Sequence, residues 1–112
     1  MAKARLKRGS IYFINRTITI GNEMMGGRPA IIVSNDDGNR AAGILEVVYL
    51  TTAQKIELPT HVKISSSERP STAICEQITT VSKNRLGRYV GTVTAQEMED
   101  IDKALKISLG LR

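Results

Sequence analysis

GNEMMGGRPAIIVSNDDGN, Gly21 to Asn39, carries a charged, glycine-bearing loop straight into an apolar strand. Glu23 and Arg28 stand at either end of the loop, and Ala30 to Val33 reads as a buried run. A carboxylate and a guanidinium fixed beside a rigid strand suit a phosphodiester. The carboxylate takes a proton, and the guanidinium holds a phosphoryl group in a bidentate grip. Gly26 and Gly27 let backbone and ligand approach closely. On these residues alone, a surface turn with an incidental ion pair fits as well, because exposed charged loops are common.

Outward from this stretch the chain reads as short strands separated by turns. Ile11 to Asn15 is expected as the first strand and Pro29 to Ser34 as the second, closed by a turn over Asn35 to Asn39. Ile44 to Thr51, Val62 to Ile64, Thr72 to Val81 and Tyr89 to Val93 follow as further strands. Ser82 to Leu86 suits one helical turn. Several short strands with turns between them point to a small barrel rather than parallel βαβ units. The best-signed element comes last. Thr94 and Glu97 form a capping box, and Met98, Ile101, Leu105 and Leu109 make an apolar stripe at helical spacing. Acidic residues stand near the helix start, Lys103 and Lys106 near its end, and Gly110 is a natural stop. The charged face is expected to be solvated. The fold class is mainly β with a C-terminal helix, one domain over residues 1–112 with a basic arm at about residues 1–8.

Composition narrows the function. At 112 residues the chain supports a single core. It has no apolar run near the ~20 residues a membrane span needs. The basic start, MAKARLKRG, lacks the apolar stretch of a secretory signal. One cysteine, Cys75, excludes an internal disulfide and fits a reducing compartment; it reads as a small buried hydrophobe. Sixteen Lys and Arg against eleven Asp and Glu give a net charge of +5, which favours polyanions without identifying one. Lys3, Arg5, Lys7 and Arg8 suit a nucleic-acid arm or a solubilising tail equally. The aromatic residues Tyr12, Phe13, Tyr49 and Tyr89 are too few for a binder that works mainly by base stacking. A lone histidine, His61, excludes a two-histidine acid–base mechanism, and one Cys with one His cannot build a thiolate–imidazole zinc site. Asp36 and Asp37 lie in a turn-like segment where such residues are expected anyway. Neither a metal nor a cofactor is expected.

The chain resembles the MazF/PemK family of toxin endoribonucleases over nearly its whole length. The resemblance runs through RGSIYFI (Arg8 to Ile14), GNEMMGGRPAIIVSND (Gly21 to Asp36), VVYLTT (Val47 to Thr52) and LPTHVKI (Leu58 to Ile64). It continues through CEQITTV (Cys75 to Val81), KNRL (Lys83 to Leu86) and the closing ALKISLGL (Ala104 to Leu111). The Arg-Pro block leading into the apolar strand and the closing helix are its most specific parts. The resemblance implies a small SH3-like barrel of the MazF/PemK/CcdB-like toxin fold. It implies a cytoplasmic homodimer that cleaves single-stranded RNA without a metal and is inhibited by a cognate acidic antitoxin. By position, Arg28 and Thr51 match the family's essential arginine and threonine and Glu23 the glutamate of its GSE motif, while Asn35 and Gln77 fall where family members approach RNA or organise the site. His61, beside Thr60, is a further candidate for RNA contact, with a structural or exposed loop histidine as the other reading. Asn22, Met24 and Met25 depart from the family's loop, and Thr79 stands where relatives often carry an arginine.

RNA carries its own nucleophile, the ribose 2′-hydroxyl. Glu23 is ionised near neutrality and suits the base; pairing with Arg28 to position it is the other role open to it. Arg28 stays protonated and acts as an electrostatic clamp. Thr51, at a strand end, offers a hydroxyl to a non-bridging oxygen. Two other functions share these features. A gyrase-poisoning toxin of the same fold would depend on a Trp-bearing tail, and this chain has no Trp. A non-catalytic SH3-like nucleic-acid-binding module needs only the basic charge and the barrel.

Overall fold

The computed structural model describes residues 6–15 and 27–112. Among them six strands, each paired antiparallel to its neighbours, form one sheet in the order β4-β5-β3-β2-β1-β6. In chain order these are β1 (Ser10–Ile14), β2 (Arg28–Ile32), β3 (Ile44–Thr51), β4 (His61–Ile64), β5 (Ser71–Ser82) and β6 (Leu86–Thr92). A short helix, α1 (Asp36–Ala41), joins β2 to β3, and α2 (Ala95–Leu109) closes the chain. A single 3₁₀ turn, Lys83–Arg85, links β5 to β6 where one helical turn is expected from the sequence.

Alternation puts two apolar sets on opposite faces of the sheet. Ile11, Ile31, Val48, Leu50 and Ile64 pack with Ile101 and Ala104 of α2. Tyr12, Ile14, Ala30, Ile32 and Val47 form the second cluster, with Tyr89 edge-on to Tyr12. The hydrogen-bonded sheet is open, with β4 and β6 at its edges. It curls far enough for these edges to meet through side chains: Arg88 of β6 holds Glu68, in the β4–β5 connection, through both carboxylate oxygens at 2.6 and 3.0 Å. The backbone of Gly91 comes so close to this connection that a Cβ there would lie 3.0 Å from the Ser66 carbonyl. The barrel is therefore closed by an ion pair and a loop rather than by a ladder.

Two expectations are corrected. The segment after β2 is a helix, not a turn. Asn35 caps α1, its Oδ1 accepting from the Gly38 amide at 2.7 Å, and buried Asn39 donates to the Ser34 carbonyl. Asn, Asp and Gly are turn residues, and they are also cap and first-turn residues; at this length the sequence does not separate the two. Asp36 accepts from the Arg8 amide and Asp37 pairs with Arg40. The second correction concerns α2. Its capping box forms as expected, and Gly110 ends it at φ +73°. Leu109, however, is exposed, and Ala104 takes the buried place behind Ile101. Nor is the charged face wholly solvated. Glu97 is buried, and Asp102 pairs with Arg8 at 2.7 Å.

No helix among the described residues is long and apolar enough to cross a membrane. Cys75 is buried, and burial pushes its thiol up to about 12, as a packing residue would be.

Candidate active site

The register builds the site. β2 pairs with β3 through Ala30 opposite Tyr49 and Ile32 opposite Val47. Continuing that antiparallel register by two residues brings Arg28, the first residue of β2, beside Thr51, the last of β3. Alternation puts Arg28, Tyr49 and Thr51 on one face. The Arg28 guanidinium lies 4.8 Å from the centroid of the Tyr49 ring, a cation–π contact that supports it without using its N–H groups. Among the described residues no carboxylate pairs with it. Gly27 makes this placement possible: a Cβ there would stand 1.7 Å from the Ile14 carbonyl oxygen. Its glycine serves a close approach of backbone to backbone at the end of β1, immediately before the arginine.

Arg28 and Thr51 open into a cleft of about 290 Å³, also lined by Phe13, Thr52 and the Ser67–Arg69 stretch of the β4–β5 connection. The Thr51 Oγ1 accepts a hydrogen bond from the Ala53 amide at 3.1 Å. Its own proton is thereby left to donate, and the acceptor role fixes the rotamer.

Sequence reasoning missed the far wall of the cleft. Glu68 and Arg69 face the cleft from forty residues along the chain from Arg28, on a loop whose composition says only that the chain turns there. Arg88 commits Glu68; their hydrogen bond holds the Glu68 carboxyl below the usual carboxylate range, making it a poor base. Arg69 is exposed and has no ion pair among the described residues. Glu97 anchors the start of the same loop, accepting from the Ser65 amide at 2.7 Å and the Ser66 hydroxyl at 2.6 Å while closing the capping box with the Thr94 amide. Burial works against its charge, but hydrogen bonds from Ser66, Thr94 and Ser65 outweigh it and bring the carboxyl down to about 2.

The other sequence candidates lie elsewhere. Glu23, with Asn22, Met24 and Met25, is outside the described residues. Asn35 sits beyond the opposite end of β2 from Arg28, its side chain engaged as a cap. Gln77 is exposed on β5 where the β3–β5 register slips, and it does not line the cleft. Thr79, in the same strand, donates to the Gln77 carbonyl. His61 is packed at the start of β4 with both ring nitrogens engaged. It belongs to a hollow of about 270 Å³ joined to the cleft through a larger one of about 700 Å³, which shares Thr51, Thr52 and Ser71 with the cleft. Together the three form a groove leading from Arg28 past Lys55 and Lys63.

Residues 7–109 match the family model of PemK-like, MazF-like toxins of type II toxin–antitoxin systems. The chain belongs to this family. It is 39% identical over 111 residues to the endoribonuclease EndoA of Bacillus subtilis, covering 95% of this chain and 96% of that one. It is 34% identical to the endoribonuclease MazF of Staphylococcus saprophyticus, covering 95% of this chain and 92% of that one. A solved mycobacterial endoribonuclease superposes with a TM-score of 0.79 at 31% identity, over 96% of this chain and 93% of that one. Another, in complex with its cognate antitoxin, gives 0.78 at 33% identity, over 95% and 96%. The expectation of a MazF-like endoribonuclease toxin is borne out, and the open, curled sheet with its C-terminal helix is the fold of these toxins.

Proposed function

We propose that this MazF-like toxin cleaves single-stranded RNA through attack by the ribose 2′-hydroxyl, at the cleft between Arg28 and Thr51. The observation that carries this reading is their convergence: a guanidinium with no carboxylate partner among the described residues and a hydroxyl with its proton to give, side by side at the ends of two paired strands. Arg28 would clamp the scissile phosphate and neutralise charge growing on its equatorial oxygens. Thr51 would donate to a non-bridging oxygen. The base has to come from elsewhere, because Arg88 occupies both Glu68 oxygens and lowers the proton affinity of that carboxylate. Glu23, five residues before Arg28, is the residue we assign, with orientation of Arg28 as the other role open to it. Chemistry of this kind needs no metal.

A net charge of +5 and the groove past Lys55 and Lys63 suit a polyanionic strand. The partners in this reading are a second copy of the chain, extending the basic track, and a cognate acidic antitoxin that covers the groove. The site of action is the bacterial cytoplasm. The test is incubation of the purified chain with a long single-stranded RNA in excess chelator, followed by mapping of the new ends. Discrete cuts at a recurring short sequence support the reading. RNA left intact, or cut only when metal is restored, rejects it.

A further inference from the structure

His61 is the chain's single histidine, and its ring lies between two acceptors. Nδ1 is 2.9 Å from the carbonyl oxygen of Ile56, and Nε2 is 3.0 Å from a carboxylate oxygen of Glu76. A neutral imidazole has one N–H and satisfies one of these; the imidazolium donates to both. The ring itself is 9% exposed, while its two acceptors reach the surface, so the bonds compete with water from their outer side. Thr60 donates to the other Glu76 oxygen at 2.7 Å and aims the carboxylate at the ring. These contacts tie the long β3–β4 connection, residues 52–60, to β5. That connection has no regular structure and is exposed from Thr52 to Pro59. Its end is also fixed to β5 by the Cys75 amide, which donates to the Thr60 carbonyl at 2.9 Å. Before that, its anchors are the Ala53 amide on Thr51 and the turn from the Leu58 carbonyl to the His61 amide, so residues 54–57 depend most on the ring. The connection also forms one wall of the groove beyond the cleft and carries Lys55 there.

We propose that His61 is a positioning residue held as an imidazolium, latching the 52–60 connection to β5 and so fixing the groove through which RNA reaches Arg28 and Thr51. The last step rests on the endoribonuclease reading; the latch itself does not. The groups around the ring are Glu76 from β5, Lys55 and Glu57 from the connection, and Lys63 from β4. Burial lowers the ring's proton affinity, but the hydrogen bonds to Glu76 and to the Ile56 carbonyl outweigh it, with Lys55 opposing, and the result stands above 6.5. Glu76 is held low by the Thr60 hydroxyl and by the ring, so it stays ionised while His61 titrates. A raised folded value means the latch is complete below pH 6.5 and is lost as pH rises through that raised value.

With one histidine, ring-¹⁵N NMR of the whole protein reads the latch without ambiguity. The expected result is protonation of both nitrogens with a midpoint above 6.5, moved down by Glu76→Gln. A wild-type midpoint at or below 6.5, or one that ignores Glu76→Gln, overturns the proposal. Kinetics on RNA supply the second arm. KM should rise about fivefold as pH passes the His61 midpoint, with kcat following its own profile, as loss of one ordinary hydrogen bond implies. His61→Arg, permanently charged with several donors, should keep KM low and remove that rise. His61→Gln should have a high KM at every pH. An unchanged KM profile in His61→Gln, or a loss confined to kcat, overturns the positioning role. Should that variant fail to fold, Glu76→Gln must reproduce the raised KM for the proposal to stand. Should the chain cut no RNA, the endoribonuclease reading fails by itself. The latch is then judged by the ring titration and by amide exchange over residues 53–58, which should quicken across the same midpoint; unchanged protection contradicts it.

Discussion

Arg8 and Arg28 are the same residue type at opposite ends of the β1–β2 pair, and their surroundings differ in every respect that matters. Arg8 donates through Nε to the Val33 carbonyl at 2.8 Å and pairs with Asp102 of α2, while its amide binds Asp36. Arg28 lies exposed over a tyrosine ring, with no carboxylate among the described residues to answer it. The first arginine's hydrogen bonds are committed to holding the N-terminal segment, β2, α1 and α2 together. Among the described residues, only the Tyr49 ring engages the second. Charge alone does not distinguish them; the difference is whether the fold has already satisfied the group.

The sharpest way to break this contrast is to change each arginine in turn. Arg28→Lys keeps the charge and loses the planar fork, so RNA cleavage should fall ~10²–10³-fold, the usual cost of one preorganised donor, with the melting temperature unchanged. Arg8→Met should do the reverse, lowering stability by about 1–2 kcal/mol and leaving the rate per folded molecule as it was. Near-full activity in Arg28→Lys would remove the bidentate role, and a crippled but fully stable Arg8→Met would remove the contrast. Next comes Thr51→Val, which keeps the shape and deletes the hydroxyl. It should cost about 10² in rate. Thr51→Ser should recover most of that; if it does not, the methyl group's packing is what counts.

The contrast extends to two carboxylates that hold the β4–β5 connection. Glu97 is buried and anchors the start of that loop at Ser65 and Ser66, while Glu68 and Arg69, further along it, reach the cleft. Glu97→Gln should lower stability by about 2 kcal/mol at neutral pH, because several bonds to a charged group weaken together. The pH dependence has a definite sign. With a folded value of about 2 against 4.5 for the free group, the charge stabilises fully above 4.5, and that contribution fades as pH falls toward 2. Denaturant titrations at pH 6 and pH 3 should therefore diverge in the wild type and less in Glu97→Gln. The smallest effect is expected at Arg69. Arg69→Ala should weaken RNA binding several-fold at low salt and reduce the slope of log affinity against log salt by about one, the mark of one lost phosphate contact. An unchanged slope would place Arg69 outside the RNA path.

Most of the fold is legible in the sequence because its signals are local. The runs rich in β-formers place each strand to within a few residues, and Thr94, Glu97 and Gly110 mark both ends of α2. The failures are equally local in origin. Asn35 to Asn39 uses residues common to turns and caps, and Leu109, although at helical spacing, is exposed at the edge of a hollow it shares with Glu46 and Ile78. For the site, Arg28 stands out as a charge at the foot of a buried strand. Thr51 does not: a threonine ending a β-rich run looks like any strand residue, and only the family resemblance picks it out before the register puts it beside Arg28. Glu68 and Arg69 carry no sequence signal of their role, since the curl that brings β4's loop to β6 depends on contacts remote in the chain. The same holds for His61, whose ring is fixed by a glutamate fifteen residues away.

In the proposed reaction, the cleft at Arg28 and Thr51 uses the substrate's own 2′-hydroxyl. A single-turnover assay on a short single-stranded RNA containing the mapped cut site tests it directly, run in chelator beside the same oligomer with one deoxyribose 5′ to the scissile phosphate. The expected result is cleavage of the all-ribose strand to a 2′,3′-cyclic phosphate and a 5′-hydroxyl, and no cleavage of the substituted strand although it still binds. Cutting of the substituted strand at a comparable rate would make water the nucleophile and contradict the mechanism.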